Sequence, residues 1–295
     1  MPASAGTRKL KLPSRSPTKE RIFELDFIRG ALMLLLVLYH LAYTLGSVSQ
    51  FFRYLGDGPE PAWVVNGSAF WHSFWYSQPL LVFQLLFSSS FFFLCGVSCG
   101  FSRHNARRGY WLLFIAMLET IFLSALNHYL GIDVNVYIGL LHALGIAILF
   151  YALVDRFFKS LWVDFSLGVL FLVLFALFYN FHVRYDLTGT VIQPNPYFYK
   201  TPSEAVAHLG ELFLGYATAG SDSWSPIRLS AFVFLGASAS KALYKRKDSL
   251  WKPSWRNCVS PITFLGRHSL VVYLAEQIIV LAIMWCVLAP FGYTF

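Results

Sequence analysis

Apolar runs long enough to cross a lipid bilayer recur along this chain, and they limit its fold more than any other feature. They cover about residues 29–47, 80–102, 109–130, 136–154, 161–182, 224–243 and 261–289, the sixth being the weakest. A hydrocarbon core about 30 Å thick takes ~20 helical residues to cross. Inside it, each backbone amide must find a partner within its own helix or in a closed barrel. The expected architecture is therefore an all-α polytopic membrane protein of about seven transmembrane helices.

Composition excludes the soluble alternative. Charged residues make up 13% of the chain against 57% hydrophobic, and mean hydropathy is +0.55, whereas an ordinary soluble domain carries about 25% charge. Many Trp and Tyr (Trp63, Trp71, Trp75, Tyr110, Trp111, Trp162, Trp251, Trp255) flank the runs, as interfacial belts do. The net charge of +8 is not read as a nucleic-acid signal, because the basic residues fall in short clusters between apolar runs. Those clusters set orientation instead. The arm through Arg29, Arg103 to Arg108, Arg156 with Lys159, and Lys241 to Arg267 hold 19 of the 23 Lys and Arg. Arg53, Arg184, Lys200 and Arg228 fall on the other side. The positive-inside rule then puts the N-terminus in the cytoplasm and the C-terminus outside.

Residues 1–20 read as a disordered basic cytoplasmic arm, and 21–295 as one transmembrane domain whose first run is an uncleaved anchor. External segments 48–79 and 183–223 are too long for simple turns and are expected to cap the external mouth, with a short helix over Ser203 to Tyr216. Cys95, Cys99, Cys258 and Cys286 form no disulfide framework and no metal-ligand spacing.

Asp26, Arg29 and His40 carry the strongest functional signal. At about 100° per residue, Arg29 to His40 returns to within about 20° of the same helix face, and His40 lies ~16 Å further along the axis. An ionisable group near mid-membrane usually faces a cavity or a partner. A base at that depth could be oriented by Asp26, Glu119 or Glu276, and because Asp26 is about 21 Å away along the helix, a carboxylate from another span is the expected orienter. Glu119, His142 and Glu276 occupy overlapping depths, and Ser269, Tyr273 and Glu276 share a stripe. Each of these can also serve as a helix–helix hydrogen bond. At the cytoplasmic mouth, Arg29, Arg103, Arg107, Arg108 and Arg267 form a candidate anion rim, since guanidinium forks match phosphates. Nucleotide-loop, dinucleotide, zinc and nucleophile-elbow signatures do not occur.

Five segments, in order, resemble the bacterial branch of the heparan-α-glucosaminide N-acetyltransferase catalytic-domain family over about Arg21 to Ile279. They are Arg21-Ile-Phe-Glu-Leu-Asp-Phe-Ile-Arg-Gly30 with His40; Ser90 to Arg103 with Arg107-Arg-Gly109; Gly139-Leu-Leu-His-Ala-Leu-Gly145; Ser221-Asp-Ser-Trp-Ser-Pro226; and Phe264 to Leu274. The resemblance implies transfer of acetyl from cytosolic acetyl-CoA, with no metal, to a sugar amine or hydroxyl of a surface glycan beyond the plasma (inner) membrane of a bacterium. In that reading Asp26, Arg29, Arg103, Arg107, Arg108, Arg267 and Ser269 hold the donor, while His40, Glu276, Glu119 and His142 serve catalysis. The lysosomal branch carries its key histidine in the first luminal loop. Here Phe51 stands at that spacing, with His72 only later, and the role falls to His40. A proton-coupled transporter and a non-catalytic sensor are the alternatives; the lack of an inverted repeat and the odd number of spans weigh against the transporter. Membrane lipid is the expected surrounding, nucleic acid is not a partner, and Gly96 with Gly100 at GxxxG spacing admits a homodimer.

Overall fold

The computed structural model describes residues 22–131, 134–182, 184–185, 191–193, 197–244, 249–250 and 258–295. The amino-terminal arm and the basic stretch 251–257 lie outside them. Twelve helices are described: α1 (Phe23–Gly46), α2 (Val48–Phe51), α3 (Ala62–Trp75), α4 (Gln78–Cys99), α5 (Asn105–Leu130), α6 (Leu140–Phe157), α7 (Leu161–His182), α8 (Pro202–Ala207), α9 (Leu209–Leu214), α10 (Pro226–Leu243), α11 (Ser260–Arg267) and α12 (Ser269–Leu288). Among the described residues, five helices are long and apolar enough to cross a membrane: α1, α4, α5, α6 and the segment Ser269–Phe291 that contains α12. Each matches one of the runs read from the sequence. The chain is an α-helical integral membrane protein.

Helix α10 explains why the sixth run is weak. It packs against α4, α6 and α7, and Leu229, Ser230, Ala231, Val233, Phe234, Gly236, Ala237, Ser238 and Ser240 are all buried. A helix enclosed by other helices meets protein rather than lipid, so small and hydroxyl side chains serve it better than long apolar ones. Its start is fixed locally: Ser225 caps it by accepting from the Arg228 amide at 3.3 Å, and Pro226 occupies the first turn, where its missing N–H costs nothing. Phe92, Ile148, Tyr151, Leu229, Val233 and Phe234 fill the core around it. The Gly96 and Gly100 face is occupied by this same helix: a Cβ on Gly96 would lie 2.0 Å from the Val233 carbonyl oxygen.

The seventh run divides. α11 ends at Arg267, His268 takes non-helical angles, and α12 starts at Ser269. The sequence reading drew one span here; the break follows from packing, because α11 presses its backbone against α1. A Cβ on Gly266 would stand 1.9 Å from the Asp26 carbonyl oxygen, and one on Gly30 would stand 1.7 Å from that of Ile262. Gly266→Ala is therefore expected to cost about 1–3 kcal/mol by overpacking, read as a lower thermal midpoint in detergent.

Segment 48–79 folds as α2, strand β1 (Arg53–Tyr54) and α3, with β1 paired antiparallel to the carboxyl-proximal strand Tyr293–Thr294. Trp75 packs on Tyr39 of α1 with ring centroids 4.0 Å apart. Beyond α7, strand Tyr197–Tyr199 runs parallel to Ala217–Ala219. Where one short helix was expected from Ser203 to Tyr216, two form, α8 and α9, with His208 between them. Thr201 and Glu204 make a capping box at the first.

At the opposite end of the bundle, Lys241 of α10 lies 2.9 Å from Asp155 of α6 and 2.8 Å from Asp164 of α7. Tyr151 donates to the same Asp155 oxygen at 3.2 Å. Asp164 is fully buried, so the ammonium supplies the charge that its carboxylate lacks solvent to balance.

Candidate active site

The first two turns of α1, the later part of α4, the starts of α5 and α6 and the α11–α12 segment line a cavity of about 690 Å³, within the usual range for small-molecule sites. Its mouth carries Asp26 and Arg29 from α1, Ser98 from the end of α4, Arg108 and Trp111 from α5, and Arg267 with Ser269 from α11 and α12. Asp26 organises this rim. Its Oδ2 accepts from Arg267 Nε at 3.1 Å and its Oδ1 lies 3.9 Å from Arg29 Nη1. Arg29 also donates to Ser98 Oγ, and to the Leu94 carbonyl at 3.4 Å. Arg108 has no side-chain hydrogen-bond or ion-pair partner among the described residues. Three guanidinium groups face one carboxylate, which leaves the mouth net positive.

Arg103 and Arg107 do not line this cavity. Both are exposed. Arg103 lies on the turn before α5, and Arg107 is one residue from Arg108, so about 100° separates them around the helix. Only one of the two can face inward. A basic cluster shows which side of the membrane a loop occupies, but not which of its members turns toward the bundle.

Inward from the rim the lining becomes apolar: Phe91, Leu112, Ile115, Leu140, Leu141, Leu144 and Leu270, with Tyr273 among them. Just past this deep end stands a titratable cluster. His40 Nδ1 is hydrogen-bonded to Glu276 Oε1. Of the three carboxylates on offer to His40 in the sequence, the one from α12 reaches it. The Glu276 side chain is 4% exposed, and its Oε2 is buried with no hydrogen-bond partner among the described residues. With Nδ1 facing a carboxylate, the neutral ring keeps its proton there and carries its lone pair on Nε2. His40 is held further through its helix, since Thr44 Oγ1 donates to its carbonyl at 2.8 Å and accepts from Gln277 Nε2 at 3.2 Å.

Glu119 lies one turn past Ile115 on α5 and is half-buried. His142 is buried and is not hydrogen-bonded to His40 or Glu276. Its Nε2 lies 3.4 Å from Thr120 Oγ1, whose own hydrogen goes to the Val136 carbonyl at 2.9 Å. The hydroxyl is thus the acceptor from Nε2–H.

Asp222 is a site neighbour that the sequence reading did not single out. It accepts from the Leu140 amide at 3.3 Å, at the start of α6, and from Trp224 Nε1. His40, Tyr39, Glu119 and Tyr273 are within its electrostatic reach. Burial pushes its carboxyl above the ordinary carboxylate range, a shift that the bonds from Trp224 and Leu140 oppose. As a loop residue it has no periodicity to mark it; its one signal was its place in the segment Ser221 to Pro226.

Residues 21–278 match the family model for heparan-alpha-glucosaminide N-acetyltransferase, catalytic. The chain belongs to this family. Among curated proteins and among solved structures, no match is found. Family membership makes the chain a membrane acetyltransferase, and the match spans the rim, the cavity and the His40–Glu276 pair.

Proposed function

We propose that the protein transfers an acetyl group from cytosolic acetyl-CoA to an amine on an extracytoplasmic acceptor, an amino sugar of a surface glycan being the class that fits. The observation that carries this reading is the continuity of a net-positive mouth, an apolar shaft and a His–carboxylate pair along α1 and α12. Phosphates are matched by the guanidinium groups of Arg29, Arg108 and Arg267. A thioester arm is matched by Phe91, Leu112 and Leu144. Bound there, the donor supplies an activated acyl carbon; the protein supplies orientation, exclusion of water and a base.

His40 Nε2 takes the proton as the acceptor nitrogen attacks, and Glu276 stabilises the imidazolium that forms. An amine is favoured over a hydroxyl because the family that the chain matches is described as an N-acetyltransferase. In this reading α7 and α10 complete seven spans, the Arg-rich mouth faces the cytoplasm of a bacterial cell, and the 48–79 and 183–223 segments cap the acceptor side.

Purified protein in nanodiscs is expected to release CoA from acetyl-CoA in the presence of an amino sugar and not of its N-acetylated form. In liposomes, accumulation of the sugar without CoA release would overturn the enzyme reading in favour of a transporter. Arg108→Gln removes the one rim guanidinium with no described protein partner. It is expected to raise KM for the donor about tenfold, equivalent to about 1.4 kcal/mol, with kcat nearly unchanged. Initial rates over a donor titration check both numbers.

A further inference from the structure

Resting on the acetyl-transfer reading, we infer that Tyr273 is a further catalytic residue, whose hydroxyl donates a hydrogen bond to the acyl oxygen as that oxygen becomes negative. Four observations point to it.

The first is position. Tyr273 lines the cavity on α12 one turn inward of Ser269 and one turn short of Glu276, so that about 4.5 Å of helix rise separates it from the residue that holds His40. It is therefore at the junction of the shaft and the base. The second is chemistry. Around the deep end the other lining side chains are Phe91, Ile115, Leu140, Leu141, Leu144 and Leu270, none of which can donate a hydrogen bond. The third is availability. Among the described residues no group is hydrogen-bonded to the Tyr273 hydroxyl, although the ring is held in the core against α4–α6 and α10. A phenol in an interior normally finds a partner, and Tyr273 is one of the residues that line the cavity, where a bound acyl group can supply it. The fourth is electrostatic surroundings. Glu119, Asp222 and Glu276 all lie within electrostatic reach of this hydroxyl, so an oxyanion forming beside it would be repelled by their charge, and a donor O–H at this place offsets that repulsion.

The step balances as follows. The acceptor nitrogen forms a bond to the acyl carbon, and the carbonyl π pair moves onto oxygen, where the Tyr273 O–H meets it. His40 Nε2 takes the proton from nitrogen. The pair then returns, the C–S bond breaks, and sulfur leaves with its electrons to be protonated from the imidazolium. Tyr273 keeps its proton throughout, so it acts by preorganised donation, the type of contribution that costs about 10²–10³ in kcat when one donor is removed.

The test is Tyr273→Phe in nanodiscs, beside the wild-type protein. The expected result is a fall in kcat of about 10²–10³ with the dissociation constant for CoA unchanged by calorimetry. A second variant guards against a packing artefact: 3,5-difluorotyrosine at 273 keeps the shape but ionises at lower pH. Its activity is expected to decline at a lower pH than that of the wild type, because a phenolate donates no hydrogen bond, and CoA affinity is expected to stay constant across the same range. A Phe variant with kcat within a fewfold of wild type, or a difluorotyrosine protein with an unshifted pH profile, overturns the role of Tyr273 and leaves acetyl transfer standing. A wild-type protein that binds CoA but turns over no acetyl-CoA with any amine overturns the transfer reading itself and this inference with it.

Discussion

His40→Ala is expected to lower acetyl transfer by about 10²–10⁴-fold, the usual contribution of a positioned general base, while CoA binding is retained. The separation follows from the helix: His40 lies ~16 Å along the axis from Arg29, and the rim contacts of Asp26, Arg29 and Arg267 do not involve it. Glu276→Gln is expected to fall between wild type and His40→Ala. An amide can still accept at one oxygen from Nδ1–H, so orientation survives in part, but the charge that stabilises the imidazolium is lost. Its cost also includes repacking a side chain that is buried. Single-turnover rates with radioactive acetyl-CoA measure both variants. Should His40→Ala retain activity within about threefold of wild type, the base lies elsewhere, and His142, whose Nδ1 is buried and without a partner among the described residues, is the next group to replace.

A second large effect concerns stability rather than chemistry. Lys241→Met is expected to destabilise the fold by about 3–5 kcal/mol, the range for breaking a buried pair by removing one partner. Asp164 is fully buried and Asp155 partly so, its side chain 29% exposed, with Lys241 between them. Losing the cation leaves two carboxylates facing one another across α6, α7 and α10. The double replacement Lys241→Met with Asp164→Leu is expected to recover much of the loss, because a well-packed apolar set avoids the desolvation cost altogether. Thermal midpoints in one detergent, read by tryptophan fluorescence, give the comparison. A single variant as stable as wild type would show that the lysine is not balancing these charges.

The sequence carried the helix positions and one polar stripe well. Spans long and apolar enough to cross lipid are marked by length alone, and the alignment of Asp26, Arg29 and His40 is fixed by helical periodicity. What it carried poorly depends on contacts between distant segments. Glu119, Asp26 and Glu276 were equal as carboxylates; only the crossing of α1 and α12 selects Glu276. The rim arginines could be counted but not aimed, which is why Arg103 and Arg107 fell out. The break at His268 falls within Gly266-Arg267-His268-Ser269, where the α11 backbone comes against α1, a contact that no apolar run foretells. Lys241, Asp155 and Asp164 read singly as charges at helix ends, and nothing in their spacing told that three helices bring them together.

The two side-chain pairs along α1 have one more property. Asp26 with Arg267 and His40 with Glu276 both join α1 to the same carboxyl-proximal segment, one pair on each side of the His268 break. Were that segment a single rod, any tilt that tightened one pair would loosen the other, as the two pans of a balance move in opposition. With a joint at His268, each half can settle against α1 on its own, so that the set of the arginine rim and the set of the His40–Glu276 pair are two separate mechanical adjustments.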